Sequence, residues 1–157
     1  AHAEQMKNNV EKYGYTDWYE WAHAHWGTKW GACDVYYNEG QIDNGTLFVR
    51  FNSAWSPADG LIARISQMYP SLFFAMSCTE EGEFFACVLC FKDGSMVGEA
   101  EFDTDMPAET QERYDKLEDD WDAQCEVRME WEAQRDEEMQ KKVDEFIAEF
   151  CEDIITI

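Results

Sequence analysis

The chain of 157 residues carries 34 Asp and Glu against 12 Lys and Arg, which gives a formal net charge of −22. This surplus of negative charge excludes ordinary binding to a phosphate backbone and indicates a basic partner or imitation of a polyanion. Hydrophobic residues make up 45% of the chain and aromatic residues 15%, which excludes general disorder and suffices for one folded domain with a core. The longest apolar run, residues 84–91, is too short to span a membrane and suits a buried strand.

Two helices are predicted at the start of the chain. Residues 1–12 are polar and favour a short helix or a frayed arm. A second helix is expected to follow, with Thr16 as its N-cap and Gly27 at its C-terminal end. Residues at helical spacing form its apolar face: Trp18, Trp21, His25 and Trp26.

The middle of the chain predicts five strands and one further helix. Runs rich in apolar and aromatic residues mark the strands: 32–38, 46–52, 72–79, 83–91 and 95–102. A turn-rich bridge over residues 38–45 joins the first two strands, and Lys92-Asp93-Gly94 is a tight hairpin turn between the last two. The helix is expected to begin at Ser56-Pro57 and to stop at Pro70. This order predicts an α+β fold, with a mostly antiparallel sheet and helices packed on one face.

The chain after Pro107 has a purely helical pattern without Gly or Pro. Two apolar stripes are present: Tyr114, Leu117, Trp121 and Cys125, and then Met139, Val143, Phe146, Ile147, Phe150 and Ile154. An unbroken helix over this segment would be about 65 Å long, which exceeds the expected core. We therefore expect it either to bend back near the polar residues 132–138 or to project and pair with another copy.

Several ordered blocks of sequence resemble a known family. They are Asp17-Trp18-Tyr19-Glu20-Trp21 with Trp26-Gly27-Thr28-Lys29-Trp30, and Phe51-Asn52-Ser53-Ala54-Trp55-Ser56-Pro57 with Tyr69-Pro70 and Glu80-Glu81-Gly82. Over about residues 13–100 the chain resembles the YubB-like family of ferredoxin-like domains carried by conjugative plasmids and phages. The resemblance implies a ferredoxin-like fold and a phage or plasmid origin, and it carries over no catalytic residue. We expect a ferredoxin-like α+β domain over residues 1–105 and a long acidic C-terminal helical extension over residues 106–157.

Neither catalysis nor cofactor binding is predicted. The sequence contains no Gly-rich phosphate loop, GxSxG elbow or HExxH motif. Cys87 and Cys90 have the CxxC spacing, but alternation along a strand sends their thiols to opposite faces. His23 and His25 lie about 200° apart around a helix, so their side chains cannot bind the same metal ion. We expect no enzyme, no cofactor and no metal site, and the six cysteines are expected to be reduced thiols of a cytoplasmic protein.

The tryptophans of the first third allow two interpretations. Trp18, Trp21, Trp26, Trp30 and Trp55 would suit base stacking, but stacking platforms accompany a cationic groove, and basic residues are scarce here. We therefore expect these side chains in the core, where each indole buries a large area. Lys29 is expected either to form a cation–π pair or to extend its ammonium to solvent at the helix end.

The strongest functional signal is the acidic C-terminal block. Residues 101–157 contain 21 Asp and Glu against 6 Lys and Arg, whereas residues 1–100 contain 13 against 6. Asp122, Glu126 and Glu130 recur every four residues, and like charges at this spacing destabilise a helix by about 0.2–0.5 kcal/mol per pair. Such a ridge could imitate the regular charges of a nucleic-acid backbone, and the competing interpretation is a merely solvated helix face. The predicted partner-binding residues are Glu118, Asp119, Asp122, Glu126, Glu130, Glu137 and Glu138, with Trp121 and Trp131 as aromatic anchors.

The resulting functional hypothesis is a phage- or plasmid-encoded counter-defence protein of the anti-CRISPR or anti-restriction type. It would place its carboxylates in the basic channel of a host nucleic-acid-handling complex, without binding nucleic acid or membrane itself. One alternative is an assembly module that forms a homodimer through the C-terminal helix, by Val143, Phe146, Phe150 and Ile154. A second alternative is an inhibitor of a small hydrolase or nuclease that uses the sheet face.

Overall fold

The computed structural model describes residues 2–37 and 45–151, and the chain divides into two compact units, residues 1–65 and 66–157. Each unit is described by itself. The domain boundary predicted between residues 105 and 106 stays a prediction.

The N-terminal unit begins with two helices, α1 (His2–Tyr13) and α2 (Trp18–Trp26). Asp17, and not the predicted Thr16, is the N-cap of α2: its carboxylate accepts the backbone N–H groups of Tyr19 and Glu20, each at 3.0 Å. The Thr16 hydroxyl instead donates to the Glu20 carboxylate at 2.6 Å. Gly27 ends α2 in the left-handed conformation with φ of 73°, which confirms the predicted C-cap.

A two-stranded antiparallel sheet and most of a third helix complete this unit. Strands β1 (Cys33–Tyr37) and β2 (Val49–Asn52) pair with a bulge between Cys33 and Tyr36, and most of the predicted bridge lies outside the described residues. Helix α3 (Asp59–Met68) begins later than predicted, because the Ser56 hydroxyl does not cap it and lies 3.4 Å from the Gly27 carbonyl oxygen. The helix ends before Pro70, as predicted.

The C-terminal unit contains a three-stranded antiparallel sheet in the order β3 (Phe73–Thr79), β4 (Ala86–Lys92), β5 (Ser95–Glu101). All residues of the central strand β4 except Lys92 are buried, as its apolar run predicts. Asp93 and Gly94 both have positive φ, 50° and 77°, and form the predicted tight turn between β4 and β5. The five predicted strands confirm the α+β class, although within the described residues they form two sheets.

Two helices follow the sheet, α4 (Ala108–Asp115) and α5 (Trp121–Phe150). Of the two alternatives, a bend near residues 132–138 is excluded, since α5 continues through this segment over about 45 Å. The break lies earlier, at residues 116–120, where Glu118 has φ of 45° and the Asp120 carboxylate caps the N–H of Ala123 at 3.2 Å. One left-handed residue after α4 and a side-chain cap at the start of α5 thus separate the two helices without Gly or Pro.

Helix α5 packs along the sheet of its own unit. Met139 and Phe146 form the buried core with Ala86, Val88 and Cys90 of β4. Two polar contacts also join the helix to the sheet region: Arg128 forms an ion pair with Glu83 of the β3–β4 turn, and Lys92 donates to the Phe150 carbonyl oxygen at 3.3 Å. The helix therefore does not project away from its unit.

Candidate functional site

The predicted carboxylates lie on the exposed side of α5 and in the turn before it. At about 100° per residue, Asp122, Glu126, Glu130 and Glu137 fall within an arc of about 80°. We call these four residues the acidic face. The other predicted carboxylates are also exposed: Glu118 and Asp119 in the α4–α5 turn, and Glu138 one residue beyond the face. The opposite side of α5 carries the buried residues Val127, Trp131, Arg135, Met139 and Phe146.

One member of the acidic face has a cationic partner. Arg113 of α4 lies 2.7 Å from the Glu130 carboxylate, and this hydrogen bond and charge lower the pKa of Glu130. Among residues 2–37 and 45–151, no ion pair within 4 Å involves the other six predicted carboxylates. Their charges therefore remain available to an external cation.

The two predicted tryptophan anchors differ in their exposure to solvent. Trp121, in the first turn of α5, is 70% exposed and is accessible to a partner. Trp131 is only 6% exposed, and the Arg135 guanidinium carbon lies 4.7 Å from the centre of its ring. Trp131 therefore packs inside the unit, where its ring is not accessible to a partner.

Sequence reasoning missed one apolar residue beside the acidic face. Met129 is 66% exposed and lies one turn from Glu126 and next to Glu130. The sequence did hold a sign of this exposure: Met129 belongs to neither apolar stripe, and the residues around it on the helix are mostly charged. Trp121 and Met129 are thus two large exposed apolar side chains close to the acidic face.

The prediction that the N-terminal tryptophans form a core is wrong for three of the five, whereas Trp21 and Trp26 are half-buried, with their ring centres 5.1 Å apart. Trp18 is 63% exposed and Trp55 is 77% exposed, and Trp30 also lies at the surface. The buried residues of the two loops beside them are small: Thr28, Ala54 and Ala58. The buried positions of these loops are thus held by small residues, while Trp30 and Trp55 lie at the surface.

Lys29 lies between two of these exposed rings. Its Nζ is 4.9 Å from the centre of Trp30 and 5.1 Å from the centre of Trp55, so the cation–π interpretation is confirmed. Trp55 has φ of 60°, an uncommon conformation for a bulky residue. The two sequence blocks that carry the family resemblance therefore meet in one surface cluster of Lys29, Trp30 and Trp55.

The two thiols of the CxxC pattern lie on opposite faces of β4, as predicted. Cys90 belongs to the core under α5, while Cys87 stands opposite Cys78 of β3. Burial raises the pKa of Cys90 to about 11 and also raises the pKa of Cys151. In the described part of the chain, no group of three or more His, Cys, Asp or Glu side chains is placed to hold a metal ion.

These environments predict the order in which the thiols react. We expect iodoacetamide at neutral pH to alkylate the exposed Cys33 first and Cys90 last, because the thiolate is the nucleophile and Cys90 is both buried and protonated. Peptide mass spectrometry after timed quenching measures the order, and the same reaction in urea is the control. Alkylation of Cys90 as fast as Cys33 in the folded protein would contradict the packing of α5 on β4.

Residues 25–121, more than half of the chain, match a family model described as the ferredoxin-like domain in Api92-like protein. The match confirms the predicted ferredoxin-like fold, and it ends where α5 begins, so the acidic face lies beyond it. Neither the curated proteins nor the solved structures contain a significant match to this chain. None of the helices in the described ranges combines the length and apolar character needed to cross a membrane.

Proposed function

Since the chain belongs to the family of ferredoxin-like domains in Api92-like proteins, whose description specifies a fold, we propose that it acts as a binding protein through its acidic face. Its partner is the basic channel of a nucleic-acid-handling host complex, which the carboxylates occupy and block. This activity fits a phage- or plasmid-encoded counter-defence protein of the anti-CRISPR or anti-restriction type, working in the cytoplasm without catalysis.

The observation that carries the proposal is the scarcity of close ion pairs on the exposed side of an ordered helix. Six of the seven predicted carboxylates have no ion pair among the described residues, and α5 is fixed to the sheet along its buried side. A rigid element loses little conformational entropy when it binds, so its charges are preorganised for a cationic cleft. A purely solvated face would gain nothing from this arrangement and would still carry the repulsion between like charges.

The spacing of the acidic face supports imitation of a nucleic acid. Asp122, Glu126 and Glu130 follow each other at intervals of about 6 Å along the helix axis. A nucleic-acid strand likewise presents negative charges at regular intervals, which lysine and arginine side chains recognise. Trp121 and Met129 would add apolar contact to this electrostatic attraction.

The alternative of dimerisation through the C-terminal helix has less support. Phe146 is buried in the core, and Val143 and Phe150 pack against it, while Ile154 lies outside the described residues. A helix-mediated dimer would require α5 to leave its own sheet and expose this core.

Charge reversal at the acidic face tests the proposed function. We expect the triple change Asp122→Lys, Glu126→Lys, Glu137→Lys to weaken capture of the partner from host lysate by roughly three- to a hundredfold, at about 0.2–1 kcal/mol per lost charge pair. The matched control is Glu4→Lys, Glu11→Lys, Glu81→Lys, which changes the net charge equally at exposed positions elsewhere. Quantitative mass spectrometry of the captured proteins gives the readout, and circular dichroism checks that both variants fold. Equal capture by the two triple variants would refute the proposal.

A further inference from the structure

Two cysteines of the three-stranded sheet stand directly opposite each other. Cys78 of β3 pairs with Cys87 of β4, in a register that continues without a shift along the whole of β3. In the other strand pairings of the described residues, each cysteine faces a residue that has no thiol. Both thiols are reduced in this structure. The fold therefore holds two thiols side by side on one face of the sheet.

A hydrogen bond beside this pair defines the separation of the two backbones. The Glu80 N–H donates to the Phe85 carbonyl oxygen at 3.2 Å, at the end of the β3–β4 ladder. Since hydrogen-bonded and non-hydrogen-bonded pairs alternate along antiparallel strands, Cys78 and Cys87 are a hydrogen-bonded pair, with Cα atoms about 5.5 Å apart. Disulfides join cysteines whose Cα atoms are about 4.4–6.8 Å apart, so this pair is close enough to form one.

The two thiols differ in their access to solvent. Alternation along β4 places Cys87 on the face opposite to Cys90, and hence away from α5. Cys87 is 8% exposed, whereas Cys78 is half-buried on β3, which lies at one edge of the sheet. A small oxidant therefore meets Cys78 first, and Cys87 is shielded but adjacent. Redox-sensitive cysteines commonly have this arrangement, in which an accessible thiol lies next to a second thiol that completes the disulfide.

We propose that Cys78 and Cys87 are a reversible redox pair, which glutathione disulfide converts to a cross-strand disulfide. The Cys78 thiolate attacks one sulfur of glutathione disulfide, forms a mixed disulfide and releases one glutathione thiolate. The Cys87 thiolate then attacks the Cys78 sulfur and releases the second glutathione. The two cysteines give up two protons and two electrons, which glutathione disulfide takes up to become two molecules of glutathione.

The geometry favours a disulfide that is easily reduced. Opposed residues of antiparallel strands have Cβ atoms about 4.5–5.5 Å apart, and the closer values belong to non-hydrogen-bonded pairs. A disulfide requires about 3.5–4.5 Å between the Cβ atoms, so forming it must draw the two strands together locally. Among the described residues β3 pairs with β4 alone, so it can make this small movement. Strained disulfides are readily reduced, and the bond should therefore respond to the ratio of reduced to oxidised glutathione.

A second pair of thiols is less suited to this reaction. Burial is the main cause of the raised pKa of Cys90 and of Cys151, and the charge of Cys151 adds to the increase for Cys90. Thiols with a raised pKa hold little thiolate at neutral pH, and the thiolate is the nucleophile. A disulfide between Cys90 and Cys151 is therefore the rival product in the test.

Oxidation of the folded protein by glutathione disulfide at neutral pH tests this inference. After acid quenching, alkylation of the remaining thiols and digestion, mass spectrometry measures every disulfide-linked peptide. We expect the Cys78–Cys87 peptide to exceed any other pair of linked cysteines roughly tenfold, and to lose this excess when the reaction is carried out in urea. An excess of reduced glutathione should restore both thiols.

Three variants test the order of the two steps. Cys87→Ser should accumulate Cys78 with one bound glutathione, because no second thiol releases it. Cys78→Ser should leave the shielded Cys87 largely unmodified. Cys33→Ser, which removes an exposed thiol elsewhere, is the matched control and should form the Cys78–Cys87 disulfide like the wild type. Circular dichroism verifies that the variants fold.

Three results with the wild-type protein would overturn the inference, so the decision does not depend on the folding of any variant. The first is that Cys78 and Cys87 stay reduced while the exposed Cys33 becomes glutathionylated. The second is a main product that joins Cys90 to Cys151. The third is a Cys78–Cys87 disulfide that an excess of reduced glutathione does not open.

Discussion

Replacing Phe146 with alanine is expected to lower the free energy of unfolding by about 3–5 kcal/mol, the usual cost of removing a buried phenyl ring. Phe146 is buried between α5 and the sheet, where it belongs to the core with Met139 and Val88. Without its ring, α5 loses the main apolar contact near its C-terminal end. Urea denaturation followed by tryptophan fluorescence measures the change.

A second substitution shows whether Gly98 is the reason that this ring fits. A Cβ atom at Gly98 would lie 2.8 Å from Cε1 of Phe146, closer than real Cβ contacts, so Gly98→Ala should cost about 1–3 kcal/mol. In the Phe146→Ala background the same change should cost much less, because the obstructing ring is absent. Additive effects of the two substitutions would show that the ring does not lie over Gly98.

Alanine substitution of the two tryptophans of α5 should change the free energy of unfolding by very different amounts. Trp131→Ala is expected to lower the free energy of unfolding by about 3–5 kcal/mol, since it empties a buried site and removes the ring under the Arg135 guanidinium. Trp121→Ala, at a site that is 70% exposed, should change stability by less than about 0.5 kcal/mol.

The same pair of variants separates folding from binding. Trp121→Ala should weaken partner capture while its melting temperature stays near that of the wild type. Chemical denaturation and capture are measured on the same preparations. If Trp121→Ala destabilised the protein as much as Trp131→Ala, the assignment of one tryptophan to the surface and the other to the core would be wrong.

Local sequence signals predicted the strands and turns well. The apolar run of β4 and the Asp93-Gly94 turn are each specified by a few neighbouring residues, and the structure has both where the sequence places them. The cap at Gly27 was similarly predictable, since glycine alone adopts its φ of 73° without strain. These features depend on short-range chemistry.

The errors concern features that depend on tertiary packing. The expected tryptophan core failed for Trp18, Trp30 and Trp55, which lie at the surface, while the buried residues of the nearby loops are small: Thr28, Ala54 and Ala58. The break before α5 has no Gly or Pro, and the polar segment 132–138 conceals the buried Arg135 stacked on Trp131. Helical periodicity placed Met139 and Phe146 on the buried side of α5, but it could not show which acids have a cationic partner.

The structure connects these features to the proposed function through α5. Its buried side is fixed to the sheet by Met139 and Phe146, and its exposed side carries Asp122, Glu126 and Glu137, which have no ion pair within 4 Å among the described residues. The same packing that stabilises the C-terminal unit therefore orients the carboxylates toward solvent in a fixed row. Weakening the core should disturb docking as well as stability.

The salt dependence of partner binding tests the central claim most directly. The dissociation constant of the captured partner is measured at several salt concentrations, for the wild type and for the triple variant Asp122→Lys, Glu126→Lys, Glu137→Lys. Docking through the acidic face predicts that wild-type binding weakens steeply with salt and that the triple variant loses most of this dependence. An identical salt dependence for the two proteins would contradict the claim that these carboxylates contact the partner.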